Sequence, residues 1–237
     1  GEGGQKWGTV LYDWAAHRSE NWRWWKERMK RMLRLFDVVR IDHFRGIHSN
    51  WAVPFDDEDA RLGKWQEGPT DELLEAILGV ADEPHRVVAE DLGIIPPEVV
   101  ELRRRFNLRG MAVLHFGFDG EKTNPHHPST ICSDQVVYTG THDNNTTRGW
   151  WEAQNEATQA RVKALLQADE GPVSGLIRLA MESPAVLTIL PLQDLLGLDE
   201  AARMNTPGTF EGNWQWSFEW NDLEVVKKMN REPHNPF

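Results

Sequence analysis

The sequence contains one cysteine, Cys132, among its 237 residues. An internal disulfide needs two cysteines, so none can form within the chain, and a cysteine-rich metal site is excluded for the same reason. No apolar run approaches the roughly 20 residues that a membrane-spanning helix requires. Such sparing use of cysteine is typical of a protein from a reducing compartment. These absences exclude a disulfide-stabilised fold and predict no membrane partner.

Two further absences concern ligands. No predicted strand is followed by a G-x-G-x-x-G or G-x-x-x-x-G-K-[ST] loop, which argues against a nucleotide-binding fold. Basic residues are outnumbered, with 26 Lys and Arg against 37 Asp and Glu and a net charge of -11. Nucleic acid is therefore not expected as a partner, because binding it requires a basic surface. The mean hydropathy of -0.57 is that of an ordinary globular protein.

Tyrosine is also scarce, whereas tryptophan is abundant: the chain has 2 Tyr and 12 Trp. Many of these tryptophans must serve in core packing and loop anchoring. Others adjoin glycine or polar residues, as a ligand platform would, because an indole combines a wide apolar face with a polar N–H. The tryptophans that stand in such polar or glycine-rich surroundings are Trp7, Trp65, Trp150, Trp151, Trp214 and Trp216. This pattern favours a sugar ligand without establishing one.

Hydrophobic periodicity predicts an alternation of strands and helices. Short β-branched runs predict strands over 38–42, 86–90, 110–116, 135–139 and 185–190, and apolar spacing predicts helices over 22–36, 70–78, 97–106, 156–167, 173–181 and 222–230. Ser19 or Asn21 is the predicted N-cap of the first helix and Thr70 that of the second. Residues 51–59, with their acidic run, are predicted as a loop. Strands joined through helices form a parallel sheet with right-handed crossovers.

Two α/β architectures fit this order: an open doubly wound sheet, or part of a (β/α)8 barrel. Acids follow three of the strands, namely Asp42, Glu90 and Asp143. Charged residues at several strand ends favour the barrel, whose active sites lie at the carboxyl ends of the strands. A complete barrel has eight βα units in typically about 250 residues. About five units are recognisable, so residues 1–237 are predicted to be the C-terminal portion of one catalytic barrel.

The acids themselves indicate a chemistry. Arg40 and Asp42 alternate with Ile41 on a strand, so they face the same side, and a guanidinium there favours an ionised carboxylate. A strand-end ion pair is the structural alternative. Two carboxylates flanking a glycosidic bond suffice for retaining glycoside chemistry, one as nucleophile and one as acid/base, when they are about 5–5.5 Å apart. A third can bind sugar hydroxyls.

Seven short motifs, in order along the chain, carry a resemblance to a known family. They are GQKWG at 4–8, LYDW at 11–14, RIDHFRG at 40–46, VAEDLG at 88–93, THDN at 141–144, NTPGT at 205–209 and NWQW at 213–216. Together they resemble the 4-α-glucanotransferases (amylomaltases, or disproportionating enzymes) of glycoside hydrolase family 77, within the α-amylase clan. Thr9-Val10 departs from the family, whose members often carry Asn-Pro there.

The resemblance implies a retaining transfer of α-1,4-glucan segments from a donor to a glucose or maltooligosaccharide acceptor. It implies Asp42 as nucleophile, Glu90 as general acid/base and Asp143 as transition-state stabiliser. The residues that it implies as substrate contacts are Arg40, His142, Gln5, Trp7 and Asn144. It implies no metal and no organic cofactor, and a cytoplasmic or, in plants, plastid location. The family's N-terminal barrel half and cleft insertions would precede Gly1, so that missing half is the expected partner.

Three alternatives stay open. A plain α-glucan hydrolase would use the same carboxylates with water as the acceptor. A metal-dependent hydrolase barrel would use His142, Asp143 and Asp42 as ligands, although the chain lacks an H-x-H strand motif and an H-E-x-x-H helix. A non-catalytic glucan-binding fragment would keep only the tryptophan platforms.

Overall fold

The computed structural model describes residues 8–57, 59–81, 86–224 and 226. Gln5 and Trp7, two of the expected substrate contacts, lie outside the described residues. The chain divides into an N-terminal unit, Gly1–Met111, and a C-terminal unit, Ala112–Phe237.

Helices and parallel strands alternate in the N-terminal unit. Its elements are α1 (Trp14–Ser19), α2 (Arg23–Leu35), β1 (Val39–Ile41), α3 (Arg45–His48), β2 (Ser49–Ala52), β3 (Lys64–Glu67), α4 (Thr70–Leu78), β4 (Val87–Ala89), α5 (Pro97–Arg105) and the start of β5 (Gly110–Val113). Strand β1 pairs in parallel with β4, with Arg40 opposite Val88. A parallel bridge also joins Val88 to Arg109, just before β5. The predicted α/β fold class is confirmed.

The core of this unit lies between the β1–β4 pair and its helices. Helix α2 buries Met29 and Leu33, α4 buries Leu73, Leu74 and Ile77, and α5 buries Val99 and Leu102. These helical positions recur at intervals of three and four residues, which places them on one face. Each such side chain, when fully buried, contributes about 1.5–3 kcal/mol. The core fixes the strands whose ends carry the polar residues.

The predicted helix caps are wrong. Ser19 belongs to α1, and α2 instead begins after Trp22, whose backbone is left-handed (φ 56) and whose side chain makes no cap. The link between the two helices is too short for a separate cap, because it is taken up by the end of α1. The Trp22 N–H donates to the carbonyl of His17 at 2.9 Å. Thr70 is the first residue of α4 rather than its N-cap, which is Pro69.

A β-hairpin replaces part of the predicted loop. Strands β2 and β3 pair antiparallel, with Trp51 opposite Trp65. The two rings contact edge to face, with centroids 5.3 Å apart, and the Trp51 indole N–H donates to the carbonyl of Ala60 at 2.7 Å. Each strand is four residues long and largely polar, so no alternation was recognisable.

The C-terminal unit has a three-stranded sheet covered by helices. Its elements are the rest of β5, β6 (Gln135–Tyr138), α6 (Thr147–Glu152), α7 (Glu156–Lys163), α8 (Pro172–Met181), β7 (Leu187–Ile189) and α9 (Leu192–Leu195). The strand order is β5-β6-β7, and β6 pairs in parallel with β7. The predicted strand over 110–116 is shorter than expected, because Leu114–Phe116 forms a 3-10 turn. Most of the helix predicted over 222–230 lies outside the described residues.

Core residues of this unit come from β5, β6, α7 and α8. The fully buried members are Ala112, Leu114, Val137, Val162, Leu176 and Ala180, and Trp150 and Trp151 of α6 pack against them. Throughout the described ranges, the helices are too short or too polar to cross a bilayer.

Candidate active site

Two of the predicted acids leave neighbouring strands of the N-terminal unit at the same end. Asp42 directly follows β1 and Glu90 directly follows β4. The pairing of the strands continues past their ends, since the Glu90 N–H donates to the carbonyl of Ile41 at 2.9 Å and the Phe44 N–H donates to the carbonyl of Glu90 at 3.1 Å. The expected arrangement of these acids on parallel strand ends is therefore present for this pair.

Asp42 projects into solvent, with 74% of its side chain exposed, beside Arg40. The Arg40 Nη2 lies 2.8 Å from the Asp42 Oδ1. An ion pair this exposed contributes at most about 1 kcal/mol to stability. The pair therefore serves mainly to orient the carboxylate, and the inference that the two side chains share one side of the strand is confirmed.

Glu90 is held by two backbone N–H groups. The His43 N–H donates to Oε2 at 2.7 Å, and the Leu92 N–H donates to Oε1 at 2.9 Å. The first donor belongs to the residue after Asp42, in a turn where His43 has a left-handed backbone (φ 46). A non-glycine residue in that conformation is strained, and such strain is concentrated at functional sites. One turn thus carries Asp42 and orients Glu90.

The residue after Glu90 is an anchor. Asp91 accepts a hydrogen bond from the Met111 N–H at 2.7 Å and forms a buried ion pair with Arg103 at 3.1 Å. Burial raises the pKa of Asp91, against the lowering effects of the Met111 N–H and the Arg103 charge. A Cβ at Gly110 would lie 2.5 Å from its Oδ2, so only glycine fits beside it. Asp91 fixes the strand end from which Glu90 projects.

The third acid, Asp143, stands on a turn that follows β6 in the C-terminal unit. Thr141 and Asn144 close this turn: the amide oxygen of Asn144 accepts from the Thr141 N–H at 2.8 Å and from its hydroxyl at 2.9 Å. His142 and Asp143 lie at the tip, both exposed, with 3.4 Å between His142 Nε2 and Asp143 Oδ2. The closed turn presents the two side chains together.

Residues far along the chain hold Asp143. The Asn205 Nδ2 donates to the Asp143 Oδ1 at 2.6 Å, and the Arg203 Nη2 donates to the Asp143 carbonyl at 2.8 Å. Trp214 lies beside His142, with ring centroids 5.4 Å apart. Its side chain is 62% exposed on a left-handed backbone (φ 60). An exposed indole in a strained conformation beside a polar turn is typical of a ligand platform.

A buried polar network holds the chain on both sides of this turn, at Thr139 before it and at Thr147 after it. The carboxylate of Asp194 accepts from the hydroxyl of Thr139 at 2.5 Å, from the Thr147 N–H at 2.7 Å and from the Thr147 hydroxyl at 2.6 Å. Because that hydroxyl donates to Asp194, it accepts from His115 Nε2, 2.9 Å away. Burial lowers the pKa of His115 to about 3, so its ring is neutral at physiological pH.

Burial also raises the pKa of Asp194, against the lowering effect of its threonine donors. The His115 ring stacks on Trp150 with centroids 4.7 Å apart, and a Cβ at Gly140 would lie 2.6 Å from its Cε1. The network therefore fixes the chain where it leaves β6.

The partners of Asp143 and the buried network beside its turn were not predicted from the sequence. Asn205 and Trp214 stand in quoted motifs, but nothing in their spacing connects them with Asp143, and Arg203 stands in no motif. His115, Thr147 and Asp194 carried no signal at all, because their contacts join distant parts of the chain. Over the residues that the structure describes, no group of three His, Cys, Asp or Glu side chains is arranged to hold a metal ion.

Comparison with known proteins identifies the family. The model of glycoside hydrolase family 77, described as 4-alpha-glucanotransferase, matches residues 1–222. The chain belongs to this family. It is 45% identical over 237 residues to the chloroplastic/amyloplastic 4-alpha-glucanotransferase of Solanum tuberosum, covering 98% of this chain and 41% of that protein. It is 46% identical over 223 residues to the 4-alpha-glucanotransferase of Synechocystis, covering 93% and 44%.

Solved structures of family 77 agree. The amylomaltase of Streptococcus agalactiae, in complex with acarbose, has a TM-score of 0.88 at 30% identity, over 97% of this chain and 48% of that one. The amylomaltase of Corynebacterium glutamicum shares the fold, with a TM-score of 0.64 at 19% identity over 84% and 34%. This chain therefore spans less than half the length of each of these relatives.

Proposed function

We propose that the chain is the C-terminal part of a 4-α-glucanotransferase that transfers α-1,4-glucan segments with retention of configuration. Asp42 is the nucleophile, Glu90 the general acid/base and Asp143 the transition-state stabiliser. The observation that supports this most directly lies within the N-terminal unit: the turn that carries Asp42 donates the backbone N–H that orients Glu90. Retaining chemistry requires two carboxylates in a fixed relation, and this turn provides one.

The reaction proceeds by double displacement. Asp42 attacks the anomeric carbon and forms a glycosyl-enzyme while Glu90 protonates the departing glucan oxygen. Glu90 then removes the proton from the 4-OH of the acceptor sugar, which attacks the same carbon and releases Asp42. Arg40 orients Asp42 by holding Oδ1, and the paired backbone donors keep Glu90 directed at the glycosidic oxygen.

The other expected contacts act on the sugar. Asp143 and His142 bind hydroxyls of the ring whose bond is cleaved, and the role proposed for Gln5 and Trp7 is to contact the acceptor. Asn144 acts mainly through the shape of the turn, since Thr141 already occupies its amide oxygen. Acarbose, which is bound by the Streptococcus agalactiae relative, is the expected inhibitor.

We also propose that strands β1, β4, β5, β6 and β7 belong to a (β/α)8 barrel completed by a preceding half. Within the described residues, β1 and β7 each pair on one side only. Strand β7 exposes Leu187 and Ile189, and apolar edge strands are covered in stable proteins. The relatives reported above, of which this chain spans 34–48%, supply enough additional length for that half. The proposed locations are the cytoplasm in bacteria and the plastid in plants.

Two assays test the function in the full-length protein. With maltotriose, transfer releases glucose together with oligosaccharides longer than the substrate, whereas hydrolysis yields no longer products. With maltotriose, Glu90→Gln should lower turnover by about 10²–10⁴-fold, whereas with a donor that carries an activated leaving group it should retain activity and be partly rescued by azide. Asp42→Asn should form no glycosyl-enzyme. Glu98→Gln, an exposed change on α5, is the matched control. Near-normal turnover in Asp42→Asn would remove that residue from its role.

A further inference from the structure

Asp143 is oriented by a pair of residues from a separate segment of the C-terminal unit. The Asn205 amide donates to the Asp143 Oδ1 at 2.6 Å, although 62 residues separate the two. Arg203 donates to the Asp143 carbonyl at 2.8 Å and, through Nε, to the carbonyl of Asn205 at 2.9 Å. The guanidinium thus ties the two backbones together, and the amide then fixes the direction of the carboxylate.

The segment that carries Asn205 is itself braced. The Trp214 N–H donates to the carbonyl of Met204 at 2.7 Å, and the amide oxygen of Asn213 accepts from the Thr206 N–H at 2.8 Å. These bonds flank Asn205 on both sides. An exposed aspartate on a turn otherwise samples several rotamers. Because the donor is held, the acceptor is restricted to one of them.

The chemical type of the donor matters as much as its position. The transition state of glycoside cleavage carries positive charge on the sugar ring. A lysine or arginine in contact with the Asp143 carboxylate would offset the negative charge that stabilises this ring, whereas an amide directs the carboxylate without changing the net charge. The two Arg203 bonds described above go to main-chain carbonyls, those of Asp143 and Asn205. Arg203 therefore fixes the turn through the backbone.

We propose that Asn205 is a positioning residue for the transferase reaction: its neutral amide sets the orientation of Asp143 and adds no positive charge at the Oδ1 that it contacts. This inference rests on the function proposed above. Preorganised charge is effective because it needs no reorganisation during the reaction. Asn205 therefore acts on turnover more than on the affinity for substrate.

Three variants of the full-length protein test the role, with maltotriose as substrate. Asn205→Ala should lower kcat about ten- to hundredfold, with KM within about threefold, because a hydrogen bond to a charged group is lost. Asn205→Asp has the same shape but places two carboxyls in contact, and their mutual repulsion raises the pKa of the pair, so the acidic limb of the pH–kcat profile should rise by about one unit or more. Asn155→Ala is the control, since it removes one asparagine bond, to the Thr158 N–H, at the start of α7.

The double variant Asp143→Asn/Asn205→Ala separates the possible outcomes. If Asn205 acts through Asp143, the double variant should be no slower than Asp143→Asn alone. Equal kcat for Asn205→Ala and Asn155→Ala, with a severe loss in Asp143→Asn, would overturn the positioning role and leave the proposed function standing. Normal kcat in Asp143→Asn would overturn the assigned role of Asp143 and the positioning role together.

Discussion

The ion pair between Arg178 and Glu170 in the C-terminal unit is expected to contribute strongly to stability, and this contribution can be tested. Arg178 Nε and Nη2 donate to the two oxygens of Glu170, each at 2.8 Å, and the side chains are only 9% and 13% exposed. Arg178 also donates to Glu182 at 2.8 Å and to the carbonyl of Leu165 at 3.0 Å. The guanidinium links α8 to the chain that precedes it.

Replacing Glu170 by glutamine leaves the buried guanidinium with a half-exposed counter-charge. Removal of one partner from a buried pair costs about 3–5 kcal/mol in general. Glu182 remains, and glutamine still accepts one hydrogen bond, so we expect a loss of about 2 kcal/mol in the free energy of unfolding.

Unfolding in urea measures this difference in the free energy of unfolding, because urea is uncharged and does not screen the ion pair. Glu152→Gln is the matched control, because the Arg148–Glu152 pair is 51% and 56% exposed and should contribute no more than about 0.5 kcal/mol. The hydrogen bond from Arg178 holds the pKa of Glu170 below its ordinary value, against the effect of burial. The stabilisation is therefore present above the ordinary carboxyl pKa and lost as the pH falls through the depressed one. Equal losses in the two variants would refute the reasoning.

Two other predictions concern stability. Gly68→Ala should cost about 1–3 kcal/mol, because its Cβ would lie 2.1 Å from the backbone carbonyl oxygen of Ile47, whereas Gly171→Ala, whose Cβ meets nothing closer than 3.6 Å, should change thermal unfolding little. Burial raises the pKa of Asp194, so wild-type stability relative to Asp194→Asn should be greatest below the ordinary carboxyl pKa and should shrink as the pH rises through the raised one. Urea midpoints for both proteins across that pH range measure this, and a constant difference would contradict it.

Much of the fold could be predicted because its signals are local. The apolar spacing of α4 located its end at Leu78, as the structure has it, and its start within one residue. The β-branched runs before Asp42 and Glu90 located β1 and β4 within a residue at each end. The β2–β3 hairpin was missed because its stability comes from cross-strand contacts, above all between Trp51 and Trp65, and not from a recognisable alternation.

The acids of the candidate site could be predicted from the sequence, but the groups that hold them could not. Asp42, Glu90 and Asp143 follow strands, so their positions could be proposed from periodicity and motif order. Their supports could not: the donors to Glu90 are backbone N–H groups, which any residue except proline provides. Asn205 reaches Asp143 across 62 residues, a contact that no local pattern encodes. The predicted cap of α2 failed because α1 and α2 are joined too closely for a separate cap, and that of α4 failed by one residue, at Pro69 instead of Thr70.

The bond from the His43 N–H to Glu90 has a consequence for how this region tolerates change. The contribution of residue 43 to this bond comes from its peptide group, so the bond depends on the left-handed turn of the main chain rather than on the imidazole. Proline would remove the donor and forbid the turn. The relation between Asp42 and Glu90 is thereby encoded in main-chain geometry, and residues that resist the left-handed turn, such as β-branched ones, should disturb it.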